Sequence, residues 1–114
     1  MFVQELKDVS GIFDKIIMER NVEILRQYLL FCHKKHVRPI CVVLPFSPIL
    51  HDNYPADKLA LFRTTLYTLL RPETDMLIDL FDENLGYEYF YDLSHLNQLG
   101  AIEISRRIAG YIKD

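Results

Sequence analysis

Asp92 and His95 are the residues of this chain whose types and spacing best suit chemistry; they lie within YFYDLSHLNQLGAIEIS, residues 89–105. With two residues between them, one tight turn can bring the carboxylate against the imidazole. Such a contact is either a structural hydrogen bond that closes the loop or a pair for proton transfer. Two positions on, Asn97 offers a helix N-cap, its side-chain oxygen accepting from a backbone N–H of the first turn. Gly100 then falls at the third helical position, where a missing Cβ lets the helix lie close to a neighbouring strand. Ala101, Ile102, Ile104, Ile108, Ala109 and Ile112 follow as an apolar stripe at helical spacing. A carboxylate and an imidazole therefore sit on a loop feeding a docked helix, a usual place for functional side chains.

The elements upstream must position that loop. Residues 1–11 read either as a short strand through Phe2, Val3 and Leu6 or as a lead into the next helix, with Ser10-Gly11 as punctuation. From Ile12 to about His36 apolar residues recur at helical spacing, and Asn21 marks a break into a short and a longer helix. His33, Lys34, Lys35, His36 and Arg38 suit the negative end of that helix. Pro39 stops it. Ile40 to Leu44 is then an unbroken apolar run, read as a strand buried on both faces. Pro45-Phe46-Ser47-Pro48 closes the strand and opens a loop through Pro55. Asp57 caps a helix over 57–71 with Leu59, Leu61, Phe62, Leu66, Leu69 and Leu70 inward. A second buried strand runs from Met76 to Phe81, a loop from Asp82 to Tyr91, and a last helix from about Gln98 to Lys113.

Helices between consecutive apolar strands demand right-handed parallel crossovers, which predicts an α/β fold in three layers, α/β/α. Ligands of such sheets bind beyond the carboxyl ends of the strands. The Pro45–Pro55 loop, the Asp82–Tyr91 loop and the Asp92/His95 turn all fall at that rim. Two strands are few for a sheet, so a third strand from residues 1–9, a second copy of the chain or an upstream domain is expected to complete it.

The block Asp92, His95, Asn97, Gly100 with Ala101 resembles the final motif of the SGNH (GDSL-type) hydrolases, Asp-x-x-His followed closely by Asn and Gly. The His-Leu-Asn and Gly-Ala variant is most similar to SGNH proteins of bacterial cell-envelope and polysaccharide acylation, including the D-alanyl-lipoteichoic-acid biosynthesis group. A strand ending in Leu44-Pro45 before a proline-containing loop is a second point of likeness. The resemblance covers about residues 12–113, the second half of a flavodoxin-like SGNH domain. It implies that Asp92 orients His95, that His95 is the base for a serine, and that the substrate is an acyl ester or acylated glycan. No cofactor is implied. The family's Gly-Asp-Ser block does not occur in this sequence. Of Ser10, Ser47, Ser94 and Ser105, Ser47 alone follows a strand at the correct rim and is the local candidate nucleophile. Ser94 adjoins His95, and adjacent residues rarely share a side-chain hydrogen bond. The chain alone is expected to be inactive, and the competing reading is a non-catalytic binding or dimerising module.

Composition limits the alternatives. The chain has 114 residues, is half apolar and contains 12% aromatic residues, the profile of one folded domain. A net charge of −3 without a basic stripe argues against a nucleic-acid surface. No apolar run approaches 18 residues, and the N-terminus lacks the pattern of a signal peptide, so the compartment is left open. Cys32 and Cys41 lack Cys-x-x-Cys spacing and read as two buried thiols or one disulfide, not as zinc ligands. His33/His36 reads as cations at a helix end or as a metal pair. Asp79, Asp82 and Glu83 read as solvated loop carboxylates or a cation site. His51 and Asp52 form a surface pair, and Tyr87, Tyr89, Phe90 and Tyr91 either cover the core's edge or line an acyl or sugar site.

Overall fold

A computed structural model describes the backbone of residues 2–112 and the side chains of residues 15–112. The order is α1 (Phe2–Lys34), β1 (Ile40–Val43), α2 (Pro48–Asn53), α3 (Ala56–Leu69), β2 (Met76–Asp79), a 3-10 turn (Tyr87–Tyr89) and α4 (Gln98–Ile112). β1 and β2 pair in parallel, Ile40 against Met76 through Val43 against Asp79. The chain is thus a small α/β protein built on one two-stranded sheet.

Alternate strand residues feed two cores. Val42, Met76 and Ile78 join Leu80, Leu85, Ile104 and Ile108 beneath α4. Val43 and Leu77 join Leu66, Phe81, Leu25 and Leu59 beneath α1 and α3. This period of two is what parallel strands carrying apolar side chains on both faces require. β1 ends before Pro45, which has no N–H to give a ladder. β2 stops short of the expected Phe81 because Asp79 Oδ1 accepts the Phe81 backbone N–H at 3.1 Å, closing a turn instead of continuing the ladder. Leu80 and Phe81 are still buried, so their apolar character marked the core and not the strand's length.

Several expectations need correction. No strand forms over residues 2–9: α1 runs unbroken from Phe2, through Ser10-Gly11 and through Asn21. Asparagine costs a helix well under ~1 kcal/mol. Met18, Val22, Leu25, Leu29 and Cys32 keep one inward face across it. α1 ends in a hydrogen-bonded cap: the His36 N–H donates to the His33 carbonyl and the Val37 N–H to the Cys32 carbonyl. His36 takes the left-handed conformation, φ 57°, that this motif usually gives to glycine.

Pro55, not Asp57, stands at the cap position of α3, and Asp57 lies in the first turn, where its charge still meets the positive helix end. Within α3 Leu66 is buried and Leu59 half-buried, whereas Leu61 and Phe62 are exposed. Leu61 sits roughly 200° around the helix from Leu59, off the face that meets the sheet, whereas Phe62, about 60° away, borders an open groove against Met18 and Val22 of α1. α4 shows the same narrowing. Gly100 and Ile104 are buried and Ile108 half-buried, four apart, whereas Ala101, Ile102, Ala109 and Ile112 are exposed. The Pro45–Pro55 loop contains the short helix α2, with Pro48 in its first turn, a position where the missing N–H costs nothing.

Candidate functional site

The loop from Tyr89 to Asn97 folds as a small hairpin. The Tyr91 N–H donates to the His95 carbonyl at 2.8 Å, and the Asn97 N–H donates to the Tyr89 carbonyl at 3.0 Å. Asn97 does what its position predicts: its Oδ1 accepts the Gly100 N–H at 2.9 Å. Its Nδ2 donates back to the Glu88 carbonyl at 2.8 Å, stitching helix to loop. Gly100 is required by a close approach, though to this loop and not to a strand. A Cβ there would lie 2.1 Å from the Tyr89 carbonyl oxygen.

On that frame Asp92 and His95 face each other. His95 Nδ1 lies 2.9 Å from Asp92 Oδ1 and 3.0 Å from Oδ2. Asp92 Oδ1 also accepts the backbone N–H groups of Ser94, at 2.9 Å, and His95, at 2.8 Å. These contacts, the Ser94 N–H first and the imidazole next, hold the Asp92 carboxyl below its usual range. A carboxylate at Nδ1 selects the tautomer with its proton on that nitrogen, leaving Nε2 as the acceptor. Nε2 makes no hydrogen bond to any described residue, and the His95 side chain is 73% exposed, against 49% for Asp92. The Ser94 hydroxyl lies 3.1 Å from His95 Nδ1, against the expectation that neighbours would not share a bond. It meets the nitrogen already committed to Asp92, so it helps fix the ring and is not placed to lose a proton to Nε2.

Ser47 is tied to this turn through its backbone, its N–H donating to the Leu93 carbonyl at 3.0 Å. That bond sets the dyad beside the segment leaving the carboxyl end of β1. The Ser47 side chain, however, is fully buried, and its hydroxyl has no hydrogen-bond partner among the described residues. A nucleophile needs its base within about 3 Å, and this hydroxyl makes no such contact with His95.

The same rim holds an ion network whose extent the sequence did not reveal. His51 Nε2 meets Asp82 Oδ1 at 2.8 Å and its Nδ1 meets Asp52 Oδ1 at 3.1 Å. Arg63 donates to Asp79 at 2.8 Å and to Asp82 at 3.1 Å. His51 is therefore more than a surface pair with Asp52, and Asp79 and Asp82 are ion-paired, not simply solvated. Asp82, then Asp52, raises the His51 pKa, and His51, then Arg63, lowers that of Asp82. The reach of 31 residues between His51 and Asp82 leaves no local signal.

At the opposite rim His33 bonds both oxygens of Asp75 through Nε2, at 2.8 and 2.9 Å. Nothing local pairs residues 42 apart in sequence. Among the described residues no group of three or more potential ligands could hold a metal ion. Cys32 and Cys41 are free thiols, the Cys41 pKa raised by burial first and by Asp75 next. Of the aromatic run, Tyr89 and Phe90 pack on the α4 core while Tyr87 and Tyr91 are exposed. Among the described residues no helix is long and apolar enough to cross a membrane.

Set against known proteins, the chain matches no family model, no curated protein and no solved structure. The site's own geometry therefore has to carry the functional reading.

Proposed function

We propose that this chain carries the Asp–His part of an SGNH-type site for ester hydrolysis or O-acyl transfer, within part of a three-layer, flavodoxin-like α/β/α domain. One observation carries the reading: an imidazole gripped by a carboxylate at Nδ1 and open at Nε2, beside the carboxyl end of β1. Asp92 holds His95 in the productive tautomer. His95 takes the proton of a serine at Nε2 and returns it to the leaving group. That serine, and the donors that stabilise the oxyanion, come from outside the residues described here. The acyl group arrives on an ester or an acylated glycan.

Fluorophosphonate labelling of the protein expressed from its complete gene tests the proposal. One serine takes the label, and His95→Ala slows labelling at least about 100-fold, the usual worth of a general base. Labelling indifferent to His95 sinks the reading. Loss of label in Ser47→Ala would instead place the nucleophile in β1's exit loop.

A second reading, an assembly module that pairs with another copy, is favoured by a different observation. Ile17, Ile24 and Phe31 recur every seven residues on α1 and are exposed beside an exposed Tyr28. Ile40, which opens β1, and Leu44, just past its end, are exposed as well. A dimer in sedimentation that takes no label would decide for that module.

A further inference from the structure

β1 carries an unfinished edge. The Met76 N–H donates to the Pro39 carbonyl at 3.1 Å and the Leu80 N–H to the Val43 carbonyl at 2.9 Å, so the odd-numbered residues along β1 face β2. Backbone groups alternate sides along a strand, which turns the N–H and C=O of Ile40, Val42 and Leu44 the other way. The sheet has only two strands, and no described residue bonds to those six groups. Edges are usually guarded by a charge, a bulge or a proline within the strand. β2 carries such a charge, Asp79, held by Arg63. The run Ile40–Leu44 has no guard: Pro39 and Pro45 bracket it without interrupting it, and Ile40 and Leu44 are exposed.

α1 is unfinished on the same flank. His33 reaches Asp75, just before β2, at 2.8 Å, so its side of α1 points toward β2. Ile24, Tyr28 and Phe31 lie roughly 140–180° around the helix from His33 and therefore face the side on which β1 is open. All three are exposed. Leu25 packs in the same cluster as Val43, which sets its neighbour Ile24 level with the middle of β1.

We propose that this flank is the interface with a second copy of the chain, β1 running antiparallel to its twin about a two-fold axis at Val42. The proposal rests on the assembly reading above and gives it a register. An odd run whose first, middle and last residues face outward is its own complement. Val42 pairs with Val42 of the second copy and Ile40 with Leu44 of the second copy, so all six open groups of each strand find partners. The exposed Ile40 and Leu44 side chains then cover one another as cross-strand pairs. The same axis, passing Ile24, sets the two α1 helices antiparallel with Ile17 opposite Phe31. Ile17, Ile24, Tyr28, Phe31, Ile40 and Leu44 are each between 38% and 63% exposed, and at roughly 100 Å² apiece they offer about 600 Å² of apolar surface. With the strand edge and a polar rim added, that approaches the ~800 Å² each partner buries in a standard interface. A lone foreign strand would match the edge of β1 but not the α1 stripe; a second copy answers both.

Sedimentation of the full chain over a concentration series, joined to amide exchange by NMR at its two ends, tests the proposal. A dimer is expected in which the Val42 and Leu44 amides exchange at least about tenfold more slowly than in the dilute monomer, because the interface gives them acceptors. The Cys41 and Val43 amides, already in the ladder with β2, are protected alike at both concentrations. Leu44→Lys, at a half-exposed position, weakens the dimer about 100-fold, since each copy loses a leucine from the interface. A dimer whose Val42 and Leu44 amides exchange as fast as in the monomer overturns the pairing and leaves the assembly reading standing. A chain that is monomeric at every concentration overturns both.

Discussion

The two aspartate–histidine pairs at opposite rims of the sheet use the same groups to opposite ends. His33 and Asp75 come from elements 42 residues apart and are almost wholly shut from water. Every Asp75 oxygen is taken up by His33, the Arg71 N–H or Thr74, and the pair holds the end of α1 to the turn that launches β2. Asp92 and His95 come from one turn, and about half of the Asp92 side chain and most of the His95 side chain stand in solvent. The first pair has no freedom to exchange a proton with a ligand through Nε2. The second spends one nitrogen on orientation and keeps the other available. Residue type alone does not separate a structural pair from a reactive one; the number of ring nitrogens left open to solvent does.

Removing one carboxylate from each pair should expose that contrast most strongly. Asp75→Ala leaves the donors of His33, Arg71 and Thr74 without the acceptor they share, and each that stays shut from water costs about 1–3 kcal/mol. Asp92→Ala leaves an exposed ring and turn that water can satisfy, so its urea midpoint should fall only slightly. Equal losses in the two variants, measured by urea denaturation at neutral pH, would erase the distinction between the rims.

A smaller effect is expected where the reactive pair is anchored. Gly100→Ala drives a Cβ to 2.1 Å from the Tyr89 carbonyl oxygen, a backbone atom that cannot rotate aside. The loop and α4 must separate, at a cost of about 1–3 kcal/mol. Because Asn97 bridges the same two segments, the loosening should reach the turn between them. Loss of the Asp92–His95 contact in NMR of the variant is the expected sign. An unchanged His95 environment alongside lowered stability would show that the turn holds its shape without the helix.

What the sequence made legible follows from the range of each interaction. Asn97, three residues from the N–H it caps, and Asp92, three from the ring it holds, are local, and both geometries are as their spacing implied. The apolar runs at Ile40 and Met76 announce strands because residues on both faces must be buried. Partners that meet only after folding left no trace, as with His33 and Asp75 or Arg63 and Asp79. Faces of helices were overread for a related reason. Leu61, Phe62 and Ile102 fit an apolar stripe, but a sheet of two strands is too narrow to cover so wide a face. Phe2 to Ser10 offered either period, and helix won.

His51 lies between the two extremes and gives the gentlest test. Both its nitrogens meet carboxylates, as neither of the other pairs allows, yet about a third of its side chain remains exposed. Asp82 and Asp52 raise its folded pKa above the ordinary 6.5. Below 6.5 both folded and unfolded chains hold the proton, and its stabilising bonds are fully present. Above 6.5 the unfolded chain releases the proton first, so the folded state binds more protons and stability falls as pH rises. The contribution is gone once pH passes the folded pKa. His51→Gln, which cannot carry the charge, should therefore be less stable than wild type near pH 6, and the gap should close on the alkaline side. Urea midpoints of the two proteins across that range read the difference directly, since every other titrating group is common to both. Parallel curves would mean that solvent screening cancels the two carboxylates, and that the His51 proton is not coupled to folding.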